Sequence, residues 1–463
     1  MNTYAGDRPS RTARRLRVTG RGFTLIELMV ALTGGLFFTI FVFMLSRDVS
    51  RFFQGQTRIS ESTLATVTGF ERLRADIARA GFLSSPNLAR DKNRCPRAAP
   101  GAALASGPQQ NGTEWSALPG LQEMGLARII ETVDDDYADN YVLDENGGGL
   151  QPDKLVLYGN YSTAEQFPLE RIVWGAPNSM RLKPTASAIA RLGITAATSE
   201  ADANAILRFV FRGGQILRLV DKTGREQYGI ISDIAMDTSA TPNVPVLTLA
   251  NAPAFVRKES GGTCGIRSVC TDCLINPVDI IRYELVDATA RAAADHGHTA
   301  YLYEGVAPAY DATRLDLYRY RLSPSLSNDA DITDAVAEQS EVIAEYAVDL
   351  KFGLTALTDR ATGVLTSYGE DAGRLQDYAG VPFESPTNKT ILDSETYGPH
   401  FIRGISARLS VRNREADRDG PINPTASSGE QLFRVEVADG QFARMRSLRA
   451  HIATRNTQNL MWN

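Results

Sequence analysis

Hydrophobic and polar positions divide this chain into three differently patterned stretches. The first is continuous: from Phe23 to Leu45 a single residue, Glu27, carries a charge. A helix needs about 20 apolar residues to cross a bilayer core of about 30 Å, so the run predicts a membrane-spanning helix. The second is periodic. Val49, Phe52, Phe53, Gln56, Ile59, Thr63, Val67, Phe70, Leu73 and Ile77 recur mostly at gaps of three and four, with Arg51, Arg58, Glu61, Glu71, Arg72 and Arg74 mostly on other faces, the signature of an amphipathic helix. No proline interrupts Phe23 to Leu83, and Gly81 stands where a glycine stop is expected. One helix from Phe23 to about Ala80 would measure roughly 85–90 Å. Gly34, Gly35, Gly55 and Gly69 are its weak points, each costing up to about 1 kcal/mol relative to Ala; Gly34-Gly35 also suits bending or close helix contact.

The third stretch alternates. From Lys154 onward the chain reads as short strands between turns: Lys154–Tyr158, Arg171–Trp174, Ile206–Phe211, Gln215–Val220, Tyr228–Met236 and Val244–Ala250, then Asp279–Val286, Leu315–Leu322, Val342–Phe352, Phe401–Arg412 and Met445–Thr454. The clearest sets Ile405, Ala407, Leu409 and Val411 against Ser406, Arg408, Ser410 and Arg412, the pattern of an antiparallel sheet with one buried and one wet face. Ala186 to Ala205 reads as one helix or a loose loop, and residues 96–108 as a Pro/Gly-punctuated loop. The expected fold is α+β: a long N-terminal helix, transmembrane then amphipathic, packed on a large, mainly antiparallel β-sheet head. Its divisions are 1–22 (basic leader), 23–45 (span), 46–81 (amphipathic half) and 82–463 (head of one lobe or two). Whether residues 100–270 form a separate lobe stays open.

Charge adds direction. The 463-residue chain has a net charge of −5, which does not suit a nucleic-acid partner. Arg8, Arg11, Arg14, Arg15, Arg17 and Arg21 nevertheless crowd before the span against one acid, Asp7. By the positive-inside rule the N-terminus stays cytoplasmic and the remainder is exported. A secretory signal peptide has a shorter apolar centre and a small-residue cleavage site, which Met44-Leu45-Ser46-Arg47-Asp48 lacks. A plain signal anchor gives no reason for Glu27, since a carboxylate inside a span costs roughly 2.5 kcal/mol or more unless paired.

Arg21-Gly22-Phe23-Thr24-Leu25-Ile26-Glu27-Leu28 resembles the type IV pilin signal. That resemblance implies cleavage after Gly22 by a prepilin peptidase, N-methylation of the new terminus Phe23, and pairing of Glu27 with the freed amine of a neighbouring subunit. The passage Arg74-Ala75-Asp76-Ile77-Ala78-Arg79-Ala80-Gly81-Phe82 is similar to the helix ending of PilW-type minor pilins. Val348 to Gly353, Ile405 to Leu409 and Leu448 to Asn456 occur in the order such heads show. The implied function is a minor pilin that primes or caps a type IV pilus. Its implied partners are other minor and major pilins, a tip adhesin and the inner membrane, and its place is the inner membrane and then the pilus. Two alternatives share much of this sequence logic: a pseudopilin of a type II secretion system, and a plain membrane-anchored exported binding domain.

Candidate chemistry is sparse. The four cysteines, Cys95, Cys264, Cys270 and Cys273, all lie beyond the span, where an exported compartment favours disulfides. Three pairings are open, and a four-thiolate zinc site is the competing reading, disfavoured because the spacing lacks paired C-x2-C units. The acidic runs Asp134-Asp135-Asp136 and Asp144-Glu145, like Asp417-Arg418-Asp419-Gly420, do not fit a calcium loop and read as solvated turns. Asp295-His296-Gly297-His298 reads as a polar loop rather than a metal pair. Tyr301, Tyr303, Tyr310, Tyr318 and Tyr320 suit half-buried strands better than a sugar-binding patch. No phosphate cradle, hydrolase elbow or zincin motif is present, so no enzymatic activity, cofactor or metal is expected.

Overall fold

The computed structural model describes residues 24–88, 124–130, 152–175, 177–195, 197–239, 242–250, 273–287, 314–322, 340–359, 362–369, 398–414, 434–438 and 441–457, with short pieces at 91, 93–94, 109–110, 113–114, 255, 266, 270–271 and 418–419. Gly22, Phe23, Cys95 and Cys264 lie outside them. So do the acidic runs at 134–136 and 144–145, the His296-Gly297-His298 cluster, and Tyr301, Tyr303 and Tyr310.

Helix α1 (Leu25–Arg79) has 55 residues. The chain divides into two compact units, Met1–Arg58 and Ile59–Asn463. In the first, the most apolar 18-residue window within Leu25–Gln54 has a mean hydropathy of 2.4 and none of that window is buried. That helix is apolar and long enough to cross a membrane.

The second unit holds the rest of α1 and every strand among the described residues. A two-residue pair, β1 (Gln109–Gln110) and β2 (Thr113–Glu114), stands apart. Ten strands form the larger sheet: β3 (Ala127–Ile130), β4 (Lys154–Gly159), β5 (Phe167–Val173), β6 (Ser179–Leu182), β7 (Ile216–Val220), β8 (Glu226–Asp237), β9 (Val244–Leu249), β10 (Leu274–Asp287), β11 (Leu315–Leu322) and β12 (Ser340–Ala344). Six form the other: β13 (Ala347–Asp359), β14 (Val364–Gly369), β15 (Ile402–Arg412), β16 (Arg418–Asp419), β17 (Arg434–Ala438) and β18 (Gln441–Ala453), with β15 central between β13 and β18. Helices α2 (Ser187–Arg191) and α3 (Glu200–Val210) lie between β6 and β7.

Strand β10 organises the larger sheet. Leu274 and Ile275 pair with Pro168 and Phe167 of β5 and equally with Val220 and Leu219 of β7. One residue facing two strands means the two lie on opposite edges of β10. The remaining pairings run β5–β6, β6–β9, β9–β8 and β8–β7, all antiparallel. The ring therefore closes into a six-stranded barrel. An even strand number lets every neighbour be antiparallel, and closure leaves no free edge. Beyond Val278 the same strand leaves the barrel to pair with β4 and β11. Since β4 and β10 are direct neighbours, residues 160–278 are an insertion between two adjacent strands of the head.

Each part has its own core. Phe167, Leu169, Leu182, Leu217, Leu219, Ile234, Leu247 and Ile275 pack together in the barrel with Leu207 and Phe211. Phe70, Leu73 and Ile77 of α1 join Leu155, Leu157, Ile281, Leu317, Leu350, Phe352, Ile405, Leu409 and Ile452 from both sheets. Tyr318 and Tyr320 are fully buried with their rings stacked at 5.7 Å, so these two serve sheet packing.

Four local expectations are corrected. Ile206–Phe211 is not a strand: Ile206 to Val210 belong to α3, whose N-cap Ser199 accepts a hydrogen bond from the amide of Asp202. Ala203, Leu207 and Val210 then form its buried stripe, and capping plus that spacing outweigh the β preference of the apolar run. Ala186 to Ala205 is accordingly neither one helix nor a loop, but all of α2 and the start of α3. Val342–Phe352 is two strands, because Tyr346 turns the chain with φ +55° between β12 and β13. Strands β1, β2, β3, β6, β14, β16 and β17 had no counterpart in the pattern, and Arg418 and Asp419, read as part of a solvated turn, pair as β16 with Phe442 and Gln441 of β18.

Candidate assembly site on the N-terminal helix

Thr24 and Glu27 build the first turn of α1. Thr24 occupies the N-cap, its amide and hydroxyl both donate to Glu27 Oε2 at 2.9 Å, and the Glu27 amide donates to Thr24 Oγ1 at 3.3 Å. This is a capping box, in which an N-cap Thr and an acid three residues on satisfy each other's backbone amides. The Thr-x-x-Glu spacing carries that signal in the sequence, where Glu27 reads only as an intramembrane acid. Both bonds to the carboxylate fall on one oxygen. Among the described residues Oε1 has no partner, and the site is exposed.

Position moderates the energetics. Glu27 is the third residue of α1, about 3–5 Å along the helix axis from its start at 1.5 Å per residue. The insertion penalty for an acid applies at the centre of a span and is smaller near its end, and the positive end of the helix macrodipole favours the charge further. The roughly 2.5 kcal/mol expected for a mid-span carboxylate is therefore an upper value here. The cap meets two hydrogen bonds and leaves the net charge uncompensated. Further along, Thr33 and Thr39 return their hydroxyls to the carbonyls of Met29 and Gly35 at 2.9 and 2.8 Å, so neither presents an unsatisfied donor to its surroundings. Nothing lies within 4 Å of a Cβ placed on Gly34 or Gly35.

At its other end α1 is bolted into the head. The buried stripe is Ser62, Thr66, Gly69, Phe70, Leu73, Asp76, Ile77 and Ala80, whereas Val67 and Leu64 are exposed. The stripe is displaced from the apolar reading because small residues let the helix approach closely. Ser62 and Thr66 satisfy their hydroxyls on the carbonyls of Ile59 and Ser62. A Cβ on Gly69 would come within 3.1 Å of Ala344 Cβ and the Ile343 carbonyl. Gly69 is thus a contact rather than a weak point.

Asp76, 4% exposed, accepts from Arg319 Nε at 2.6 Å and from the Tyr283 hydroxyl at 2.8 Å, and its backbone carbonyl accepts from the Tyr161 hydroxyl at 3.0 Å. Burial, and then the Asp76 charge, push both phenols well above their usual range. Burial works against the Arg319 charge, but Asp76, Tyr283 and Glu341 together outweigh it and hold the guanidinium above its ordinary value. Arg79 donates to the carbonyl of Asn160 at 2.8 Å, and Asn456 Nδ2 donates to that of Ala80, also at 2.8 Å. Sequence reading missed Asp76 as a link, although an acid three residues after Leu73 and four before Ala80 sits on the buried face.

Of the cysteines, Cys270 and Cys273 are joined by a disulfide with Cα atoms 5.5 Å apart. Both sulfurs belong to the barrel core, and the Cys273 carbonyl accepts from the Leu169 amide at 2.8 Å. So bonded, this pair offers no thiolate to a metal, and among the described residues no group of three or more His, Cys, Asp or Glu is arranged to hold one. No protein-family model matches the chain, and neither a curated protein nor a solved structure matches it.

Proposed function

We propose that this chain is a minor pilin, made as a membrane-anchored precursor, cut after Gly22 by a prepilin peptidase and methylated at Phe23. The observation that carries the reading is the first turn of α1, where an exposed, capped carboxylate keeps Glu27 Oε1 open at the start of an apolar helix. Cleavage would free an amine four residues before Glu27 in each subunit. A neighbour's amine reaching Oε1 would neutralise the charge that the cap leaves, and would set the axial offset between adjacent helices. Apolar contacts among Leu25–Leu45 side chains then supply the bulk of the packing. The inserted barrel makes the head bulky, which favours a priming or tip position over repetition along a shaft.

Glu27→Ala tests the assembly role. It should leave membrane insertion unchanged or improved and lower co-assembly with partner pilins at least tenfold, read as the share of the chain in purified fibres. Wild-type co-assembly would remove the role assigned to this acid. A type II secretion pseudopilin shares the same first turn; loss of pili or loss of secretion on deletion of the chain separates the two.

A further inference from the structure

Helix α3 carries apolar residues on two faces. Ala203, Leu207 and Val210 meet the barrel core, while Ile206 and Phe209, each one residue before a buried neighbour, turn about 100° away from it. Phe209 is 72% exposed, the most of any large hydrophobic among the described residues of the head. A single exposed apolar side chain needs no explanation, but this one has company. With Ile206 and with Leu192, the residue that caps α2, it lines a groove of about 490 Å³, within the range of about 300–1,000 Å³ usual for small-ligand sites. Ser162 and Thr163, just beyond β4 where the insertion begins, line the groove as well. That wall is fixed: Ser162 Oγ donates to Asp279 Oδ2 at 2.9 Å, and the Thr163 carbonyl accepts from Arg79 at 3.3 Å. Arg191 also lines it, and Glu165 holds the guanidinium through Nε at 2.6 Å and through Nη2.

The Arg191–Glu165 pair carries no net charge, so a charged ligand finds little here that the two groups do not already give each other. Hydrogen-bonding capacity nevertheless remains. Among the described residues Arg191 Nη1 donates to no group, and Thr163 Oγ1, which accepts from the Glu165 amide at 3.1 Å, keeps its own proton to donate. The Glu165 carboxylate has lone pairs beyond those that Arg191 uses. A purely apolar occupant would cover such groups without pairing them, which is costly. We propose that the groove binds a neutral saccharide, with the C–H face of one pyranose ring on Phe209 and its hydroxyl edge toward Arg191 and Thr163. The negative face of a phenyl ring attracts C–H groups. Sugar hydroxyls both donate and accept, which suits a guanidinium–carboxylate pair. All of these residues belong to the head unit, so the proposal stands apart from the reading of the N-terminal helix.

The test uses the full chain in micelles of a sugar-free detergent, with maltose, cellobiose and lactose as probes. Saturation-transfer NMR should show at least one of them bound, with transfer strongest to the C–H protons of one ring. Phe209→Ala, which removes an exposed side chain, should weaken that binding at least tenfold at an unchanged unfolding midpoint. Phe209→Trp, which keeps an aromatic face, should bind as the wild type does. Arg191→Met, which removes the hydroxyl partner from an exposed ion pair, should weaken binding at least fivefold. No binding of any of the three sugars, or wild-type binding by Phe209→Ala or Arg191→Met, overturns the proposal. Tighter binding of glucose 6-phosphate than of glucose overturns it in favour of an anion site. Binding of N-acetylphenylalaninamide in place of the sugars overturns it in favour of an apolar peptide segment. A chain that is never cut after Gly22 overturns the pilin reading instead, and leaves the sugar result standing.

Discussion

Two buried carboxylates in this head behave in opposite ways because their surroundings differ. Asp76 has an arginine and a tyrosine in direct contact, so removing its carboxylate strands a buried cation. Asp76→Ala should cost about 3–5 kcal/mol, measured by chemical denaturation in detergent, and Asp76→Asn should cost less because it retains an acceptor. Asp91 instead lies within reach of the Glu226 charge as well as those of Arg218 and Arg94. Burial, and then the Glu226 charge, raise its carboxyl to about 6, against a hydrogen bond from the Asn93 amide at 2.8 Å and the opposing charge of Arg218. A folded pKa above the unfolded value means that the folded state binds the proton more tightly. The stabilising contribution is full below about pH 4 and is lost as pH rises through about 6. Asp91→Asn should flatten that dependence and raise stability at pH 8 by up to about 3 kcal/mol. An unfolding midpoint that falls equally in both proteins between pH 4 and pH 8 would contradict this.

Among the elements, α1 was the most legible. Its length followed from unbroken periodicity, and its end from Gly81, which takes φ +73° directly after the last helical turn. A Cβ on Gly81 would lie 2.6 Å from Leu126 Cδ1, so Gly81→Ala meets both a left-handed backbone and a clash. It should cost about 1–2 kcal/mol or more, read from the same denaturation curves. Less legible was the detail of its buried face, since Ser62, Thr66 and Gly69 bury through smallness and back-bonding rather than apolarity. Most longer strands were legible by alternation or β-rich composition, β15 above all. The Ile206–Phe211 run deceived because a cap at Ser199 decides its conformation from outside the run. Thr24-x-x-Glu27 spells the first-turn capping box in the sequence, but an acid alone in an apolar run also signals a charge seeking a partner, and the two signals overlap at one residue.

For the whole molecule, what sequence could not reveal was closure. The barrel exists because β10 accepts β5 and β7 on its two edges, pairings separated by many residues that leave no local mark. Placing 160–278 as an insertion between β4 and β10 explains how a head this long keeps β4 and β10 adjacent. It does not by itself say what the chain is for. That rests on the N-terminus: an apolar helix with one capped acid at its start, preceded by Gly22-Phe23 and a cluster of arginines. The most direct measurement is the mass of the N-terminal peptide of the membrane-extracted chain from its native host. The account predicts a terminus at Phe23 carrying one added methyl group. An intact leader, or an unmethylated terminus elsewhere, would contradict it.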